Sequence, residues 1–205
     1  MTARGHDTRT LSFYAGEAAA YAAASAKSGP SSALVRFMAL LPAAADVLDL
    51  GCGTGRDTLA LHEAGFNVTP IDGSPEMARE LTARSSLKVE VLLFENLDRK
   101  AEFDGVWANA SLLHVPREAI VEVLTRINRA LKPGGLFYAS FKAGTGGGRD
   151  GFERYYNYPA RAELEAWMEQ SGGWISLRIE EKKGGGYDAK PTDWLHLYAE
   201  KRKNG

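Results

Sequence analysis

VLDLGCGTGRDT occupies residues 47–58. Together with Asp46, its opening reads as a short apolar strand, DVLDL (46–50). Gly51, Gly53 and Gly55 follow without a break, and Thr54 to Ala64 reads as a helix, with Gly65 where a helix stop belongs. A buried strand, a glycine turn and a helix in that order open a βαβ unit, and α/β folds bind ligands at the carboxyl ends of their strands. Glycines let the backbone turn sharply and approach a ligand without Cβ clashes. The helix amino terminus beyond them favours a carboxylate or phosphate. Asp72 closes the next strand, NVTPID (67–72), where a carboxylate can accept hydrogen bonds from both ribose hydroxyls. The stretch therefore predicts a nucleoside site. A dinucleotide fingerprint does not fit it. Counted from Gly51, the third glycine falls on Arg56; counted from Gly53, it falls on Thr58. The phosphate-loop pattern fails as well, because no Gly-Lys-Ser/Thr follows.

The alternation continues outward. Ser74 can cap a helix with Pro75 at its first position. KVEVLLF (88–94), FDGVWAN (103–109) and GGLFYASFK (134–142) read as strands, and Pro116 opens a helix running to Leu131. Pro159 to Gln170 reads as a further helix. Trp174–Glu181 and Trp194–Lys201 close the chain as an antiparallel hairpin around the turn-rich KKGGGYDAKPTD. Upstream, Leu11–Ala26 and a segment capped by Ser31 or Ser32 are helical. The expected fold is a doubly wound α/β domain: a mostly parallel seven-stranded sheet with one antiparallel edge strand and helices on both faces. Residues 1–205 form a single domain, with 1–41 as an amino-terminal helical cap.

Composition narrows the function. The net charge of −1 over 205 residues argues against a protein that grips a long nucleic acid. Cys52 is the only cysteine, so no internal disulfide and no cysteine metal cluster can form, and a reducing cytoplasm is the expected setting. The histidines show no metal-ligand spacing, so no metal is expected. Glu17 interrupts the Ala-rich amino-terminal run, which reads as a helix rather than a leader peptide. No stretch has the length and apolarity of a membrane span.

VLDLGCGTGRDT, Asp72-Gly73-Ser74 with Met77, FDGVWANASLLHV and LKPGGLFYASF together resemble the class I S-adenosylmethionine-dependent methyltransferases, most closely those that modify small molecules. The resemblance implies S-adenosyl-L-methionine as cofactor and S-adenosyl-L-homocysteine as product. It implies that Asp49 and the loop Gly51, Gly53, Thr54 and Gly55 hold the methionine end, and that Asp72 holds the ribose. Gly73 and Met77 would line the adenine face, and Glu95, Asn96 and Leu97 its edge. Asn109 and Ala110 would sit beside the transferable methyl. Tyr14, Tyr21 and Arg36 are candidates for closing the site. Arg56, in a helix first turn where a cation is unfavourable, points either to an anionic partner such as the cofactor carboxylate or to a salt bridge with Asp57.

Methyl transfer chiefly requires that nucleophile, methyl and sulfur be held in line with water excluded. His114 is the one plausible general base, with packing of the loop before Pro116 as the other reading. Asn109-Ala110-Ser111-Leu112 stands where enzymes that methylate base amines carry Asn/Asp-Pro-Pro-Tyr/Phe, which argues against a DNA substrate. A second glycine stretch, GTGGGRD (144–150), has a strand before it but no helix after it. Residues 142–158 read instead as a mobile lid, with Lys142, Arg149, Arg154, Tyr155 and Tyr156 facing an anionic or aromatic acceptor. Tyr187, Asp188, Trp194 and His196 either reach a pocket or pack at the sheet edge. The expected protein is thus a monomeric or homodimeric enzyme that methylates an O, N or S atom of a small acceptor. The alternatives are an RNA or protein methyltransferase acting in a complex, a non-catalytic S-adenosylmethionine-binding protein, and a nicotinamide oxidoreductase, which Arg56 and Thr58 disfavour.

Overall fold

The computed structural model describes residues 5–25, 29–186 and 191–203. The main sheet is built from β1 (Asp46–Leu50), β2 (Asn67–Asp72), β3 (Glu90–Val91), β4 (Phe103–Ala108) and β5 (Leu131–Lys142), and from β8 (Trp174–Gly185) and β9 (Pro191–Lys201). Between the last two groups come β6 (Gly147–Arg149) and β7 (Tyr155–Asn157), which form a separate two-stranded hairpin. The seven strands are ordered β3-β2-β1-β4-β5-β9-β8. β1 pairs in parallel with both β2 and β4, so the chain order reverses beside it, and its carboxyl end is the natural ligand crevice. β9 runs antiparallel to β5 and to β8, which completes the hairpin at one edge.

The helices are α1 (Thr8–Ser25), α2 (Ser32–Leu40), α3 (Arg56–Glu63), α4 (Pro75–Arg84), α5 (Ile120–Ala130) and α6 (Arg161–Ser171). Ile120, Val123, Leu124 and Ile127 recur on one face of α5 and bury it, with α6, on one side of the sheet. Leu34 and Phe37 of α2 and Leu61 of α3 pack on the other side against Trp107 and Tyr138. Caps set the helix starts. Ser31 Oγ accepts from Leu34 N at 3.1 Å, and Ser74 Oγ accepts from Met77 N at 3.3 Å with Pro75 directly after it.

Four elements differ from the sequence expectation. The apolar run 88–94 pairs as a strand only at Glu90–Val91; Phe94–Asn96 then tightens into a 3-10 turn. The helix expected from Pro116 opens as a 3-10 turn, Arg117–Ala119, before α5. The final hairpin is longer than expected, because Lys182–Gly185 still pairs with Pro191–Trp194. Residues 142–158 are not an irregular loop but carry the β6–β7 hairpin.

Candidate active site

A cavity of about 710 Å³ opens at the carboxyl ends of β1, β2, β4 and β5. The glycine loop forms one wall. The amides of Gly51 and Cys52 both donate to Ile71 O, at 2.8 and 2.9 Å, which folds the loop over β2. Gly51 has φ +81°, and a Cβ there would lie 2.4 Å from the Ser111 Cβ, so conformation and space both demand glycine. Gly53 N donates to Asp72 Oδ2 and Ser74 N to Asp72 Oδ1, each at 2.8 Å, which fixes the Asp72 carboxylate at the mouth of β2.

Behind the loop, the first turn of α3 supplies Asp57. It accepts from Trp107 Nε1 at 2.9 Å, Asn109 Nδ2 at 3.0 Å and Arg56 Nε at 2.7 Å. Asn109 Oδ1 in turn accepts from Ser140 Oγ, and Ser140 Oγ from Ala110 N, both at 2.8 Å. Ala110 is held at φ +52°, a left-handed conformation uncommon for a residue with a Cβ. The turn after β4 is thus bolted to α3 and β5 through polar side chains. Asp49, only 2% exposed, accepts from Thr58 Oγ1 at 2.5 Å. Burial, reinforced by the nearby Asp57 charge, pushes its pKa up to about 8, and burial also raises that of Asp72. A cationic group placed at this end of the cavity would favour the ionised form of both carboxyls and offset the burial that holds them protonated.

The opposite wall is aromatic and cationic. Tyr14 Oη and His114 Nε2 lie 2.8 Å apart, and His114 Nδ1 is 2.7 Å from Tyr155 O. A carbonyl only accepts, so Nδ1 carries the imidazole proton and Nε2 accepts from the Tyr14 hydroxyl. Burial holds the His114 pKa down at about 4. Arg154 Nη1 donates to Tyr14 Oη at 3.3 Å, while its Nε and Nη2 grip Asp150 Oδ2 at 2.9 and 2.6 Å. Lys142 lies over the Tyr156 ring, 4.4 Å from its centroid. Tyr138, Ser140 and Lys142 share one face of β5 by strand alternation, and all three line the cavity.

Of the residues expected from sequence, Tyr14, Tyr21, Asp49, Gly51, Gly53, Thr54, Arg56, Asp72, Gly73, Met77, Asn109, Ala110, His114, Lys142, Arg154 and Tyr156 line this cavity. Others do not. Gly55 starts α3 behind the loop, against Leu81. Arg36 is drawn to Glu180 at 2.6 Å and stacks on Tyr198. Arg149 is held by Asp7 at 2.7 Å and is not itself among the residues that line the cavity. Tyr155 lends the site its backbone: its carbonyl meets His114 and its amide donates to Thr10 Oγ1 at 2.8 Å. The 3-10 turn after β3 directs Leu92, Leu93 and Phe94 to the cavity in place of Glu95, Asn96 and Leu97. Glu95 pairs with His6 at 2.8 Å, and Leu97 is sealed in the core. The Arg56–Asp57 salt bridge is formed.

Asp57, Trp107 and Ser140 were missed as site residues. Asp57 was visible in the glycine stretch itself as an acid in a helix first turn, whereas the other two required the sheet register. Trp194 and His196 reach the cavity, while Tyr187 and Asp188 lie outside the described residues. Among the described residues, no group of three or more His, Cys, Asp or Glu is placed to hold a metal ion. No helix among them is long and apolar enough to cross a membrane.

Known proteins resemble this chain in sequence and fold. A family model described as "Methyltransferase domain" matches residues 47–135. A ubiquinone biosynthesis O-methyltransferase of Xylella fastidiosa (strain 9a5c) is 32% identical over 167 residues, covering 70% of this chain and 65% of its own length. This chain therefore spans somewhat less than two thirds of that relative. The protein of the same name from Xanthomonas axonopodis pv. citri is 32% identical over 168 residues, covering 71% of this chain and 67% of its own. The solved Burkholderia thailandensis 1,6-didemethyltoxoflavin-N1-methyltransferase, with bound 1,6-didemethyltoxoflavin and S-adenosylhomocysteine, superposes with a TM-score of 0.73 at 25% identity. That superposition covers 96% of this chain and 88% of the other.

Proposed function

The chain belongs to the class I S-adenosylmethionine-dependent methyltransferases, and we propose that it transfers a methyl group from S-adenosylmethionine to an oxygen, nitrogen or sulfur atom of a small acceptor. The observation that carries this reading is a pair of carboxyls facing a single cavity, Asp49 buried just before the glycine loop and the half-buried Asp72 bonded to the loop's Gly53 amide. The acidic end fits a ligand bearing an ammonium and a sulfonium, and Asp72 retains acceptor capacity for a ribose beyond its two amide donors. On this reading, Asp49 and residues 51–54 hold the methionine end and Asp72 the ribose. Gly73, Met77, Leu93 and Phe94 enclose the adenine, and Asn109 and Ala110 stand beside the methyl. The bound cofactor supplies an electrophilic methyl on a good leaving group, so the chain's own task is alignment and the exclusion of water.

Similarity to the ubiquinone O-methyltransferases supports oxygen as the acceptor atom, and the toxoflavin N1-methyltransferase carries out transfer to nitrogen on a similar fold. The small net charge and the enclosed cavity support a small metabolite over a nucleic acid, and the lone buried Cys52 suits a reducing cytoplasm. The protein would work as a monomer or a homodimer.

Isothermal calorimetry with S-adenosylhomocysteine and with NAD tests the reading. Binding of the first and not the second is expected. Failure of S-adenosylhomocysteine to bind would overturn it. Release of S-adenosylhomocysteine over a panel of small acceptors then separates an enzyme from a non-catalytic binder.

A further inference from the structure

Granting that reading, we infer that the acceptor is a planar acid taken up as its anion. The class is an acidic phenol, an enol or a ring imide. Lys142 and Arg154 hold its charge, and Tyr14, Tyr21 and Tyr156 wall its ring. These residues form one connected surface. Arg154 touches Tyr14 at 3.3 Å and stacks 5.2 Å from the Tyr156 centroid, and Lys142 lies over the same ring at 4.4 Å. Tyr14 and Tyr21 meet edge to face at 5.9 Å. Both cations are enclosed, Lys142 at 6% and Arg154 at 1% exposure, so their charges act through little water.

The charges are segregated along the cavity. Asp49, Asp57 and Asp72 stand at the glycine-loop end together with Arg56. At the other end, Lys142 and Arg154 are joined at the rim by Lys182 and Lys183, and the carboxylates are Asp150 on Arg154, Glu180 near Lys182, and the cavity-lining Asp7, which Arg149 neutralises at 2.7 Å. His196, on β9, hydrogen-bonds Tyr138 at 2.7 Å, and burial lowers its pKa. A cationic acceptor would face like charges there, whereas an anion would be welcomed.

His114 does not offer the alternative of deprotonating a neutral acceptor directly. Its Nδ1–H is committed to Tyr155 O and its Nε2 lone pair to the Tyr14 hydroxyl. Arg154 and Lys142 nearby further disfavour a proton on it. It acts as a positioning residue that orients Tyr14. The acceptor therefore loses its proton to water before or as it docks. Its anionic lone pair forms the new bond to carbon while the carbon–sulfur pair returns to sulfur. A neutral methyl ether or N-methyl product and a neutral thioether result, with no proton left in the site.

A probe that reports its own ionisation tests this. 4-Nitrophenol is titrated into protein saturated with S-adenosylhomocysteine, and its phenolate absorption band is followed against pH. Bound 4-nitrophenol should ionise about one pH unit or more below the free compound, and nitrobenzene should bind more weakly. Lys142→Met and Arg154→Lys should each weaken phenolate binding about tenfold and return the midpoint towards the solution value. Calorimetric S-adenosylhomocysteine affinity shows that each variant is folded, and Lys142→Gln serves if Lys142→Met is not. Bound 4-nitrophenol titrating at or above its free value would sink the inference, as would a shift that survives both substitutions, or no binding of the phenolate to the loaded protein. The methyltransferase reading fails separately, and the inference with it, if S-adenosylhomocysteine does not bind at all.

Discussion

Asp49 and His114 face the same cavity and pull the pH dependence of stability in opposite directions. Asp49 has a folded pKa of about 8 against an ordinary 3.8, so the folded chain binds the extra proton between those values. Its contribution is fully present below about pH 4 and is lost as pH rises through 8. His114 is the reverse: at about 4 against 6.5, it is held neutral, and its contribution is present above 6.5 and lost as pH falls through 4. Between about pH 4 and 6.5 the two slopes offset each other. From 6.5 to 8 Asp49 acts without that counterweight, at a slope approaching about 1.4 kcal/mol per unit, with Asp72 pushing the same way. Urea unfolding of the ligand-free protein should show stability nearly flat over the lower window and falling over the upper one. Asp49→Asn should remove most of that fall, and His114→Gln should extend it down towards pH 4; an upper limb unchanged in Asp49→Asn contradicts the assignment. An ammonium brought to Asp49 favours its ionised form, so S-adenosylhomocysteine should bind more tightly as pH rises from 6 to 8. Asp57 differs, because its partners are internal. Asp57→Ala strands the buried Trp107 and Asn109 donors and should cost about 2–4 kcal/mol in unfolding free energy.

At the scale of elements, legibility followed the source of the burial. β1, β4 and β5 are buried on both faces by helices, so their apolar runs read as strands. The run 88–94 is equally apolar, yet after Val91 it serves the cavity and the core rather than the ladder. Periodicity cannot separate those uses, and the residues after β3 that line the cavity are Leu92, Leu93 and Phe94 rather than the expected 95–97. The GTGGGRD stretch showed the same limit. Its glycines carry no strand signal, because the pairing of β6 with β7, the burial of Arg154 and Asn157 and the Arg149–Asp7 bond depend on residues elsewhere in the chain. Arg149 itself does not line the cavity and acts there only through Asp7, so Arg149→Ala should weaken S-adenosylhomocysteine and 4-nitrophenolate binding less than Arg154→Lys does, as read by calorimetry. Ser74 was readable as a cap and is one. Ser74→Ala should lower stability by about 1 kcal/mol, seen as a lower urea midpoint at constant slope.

At the scale of the whole molecule, a net charge of −1 conceals an ordered division: carboxylates at the glycine loop, cations beneath the β6–β7 hairpin. Composition sums those charges, and only the sheet order sets them at opposite ends of one cavity. The cavity is shared by α1, the glycine loop, the turn after β4, the end of β5 and the final hairpin, so a ligand filling it ties together segments from both ends of the chain. Binding to the folded state alone stabilises by about 2.7 kcal/mol when ligand is present at one hundred times its dissociation constant. For a chain of this size each kcal/mol raises Tm by about 2–4 °C, so S-adenosylhomocysteine should raise it by about 5–10 °C. NAD at the same concentration should leave it unmoved. Asp72→Ala removes the proposed ribose acceptor and should weaken binding about ten- to a hundredfold, erasing about half or more of the shift at that fixed concentration. Differential scanning calorimetry of the native protein and the variant, with and without each ligand, makes the comparison. An equal rise in Asp72→Ala would mean that the ligand occupies some other part of the cavity, and the ribose assignment would have to be abandoned.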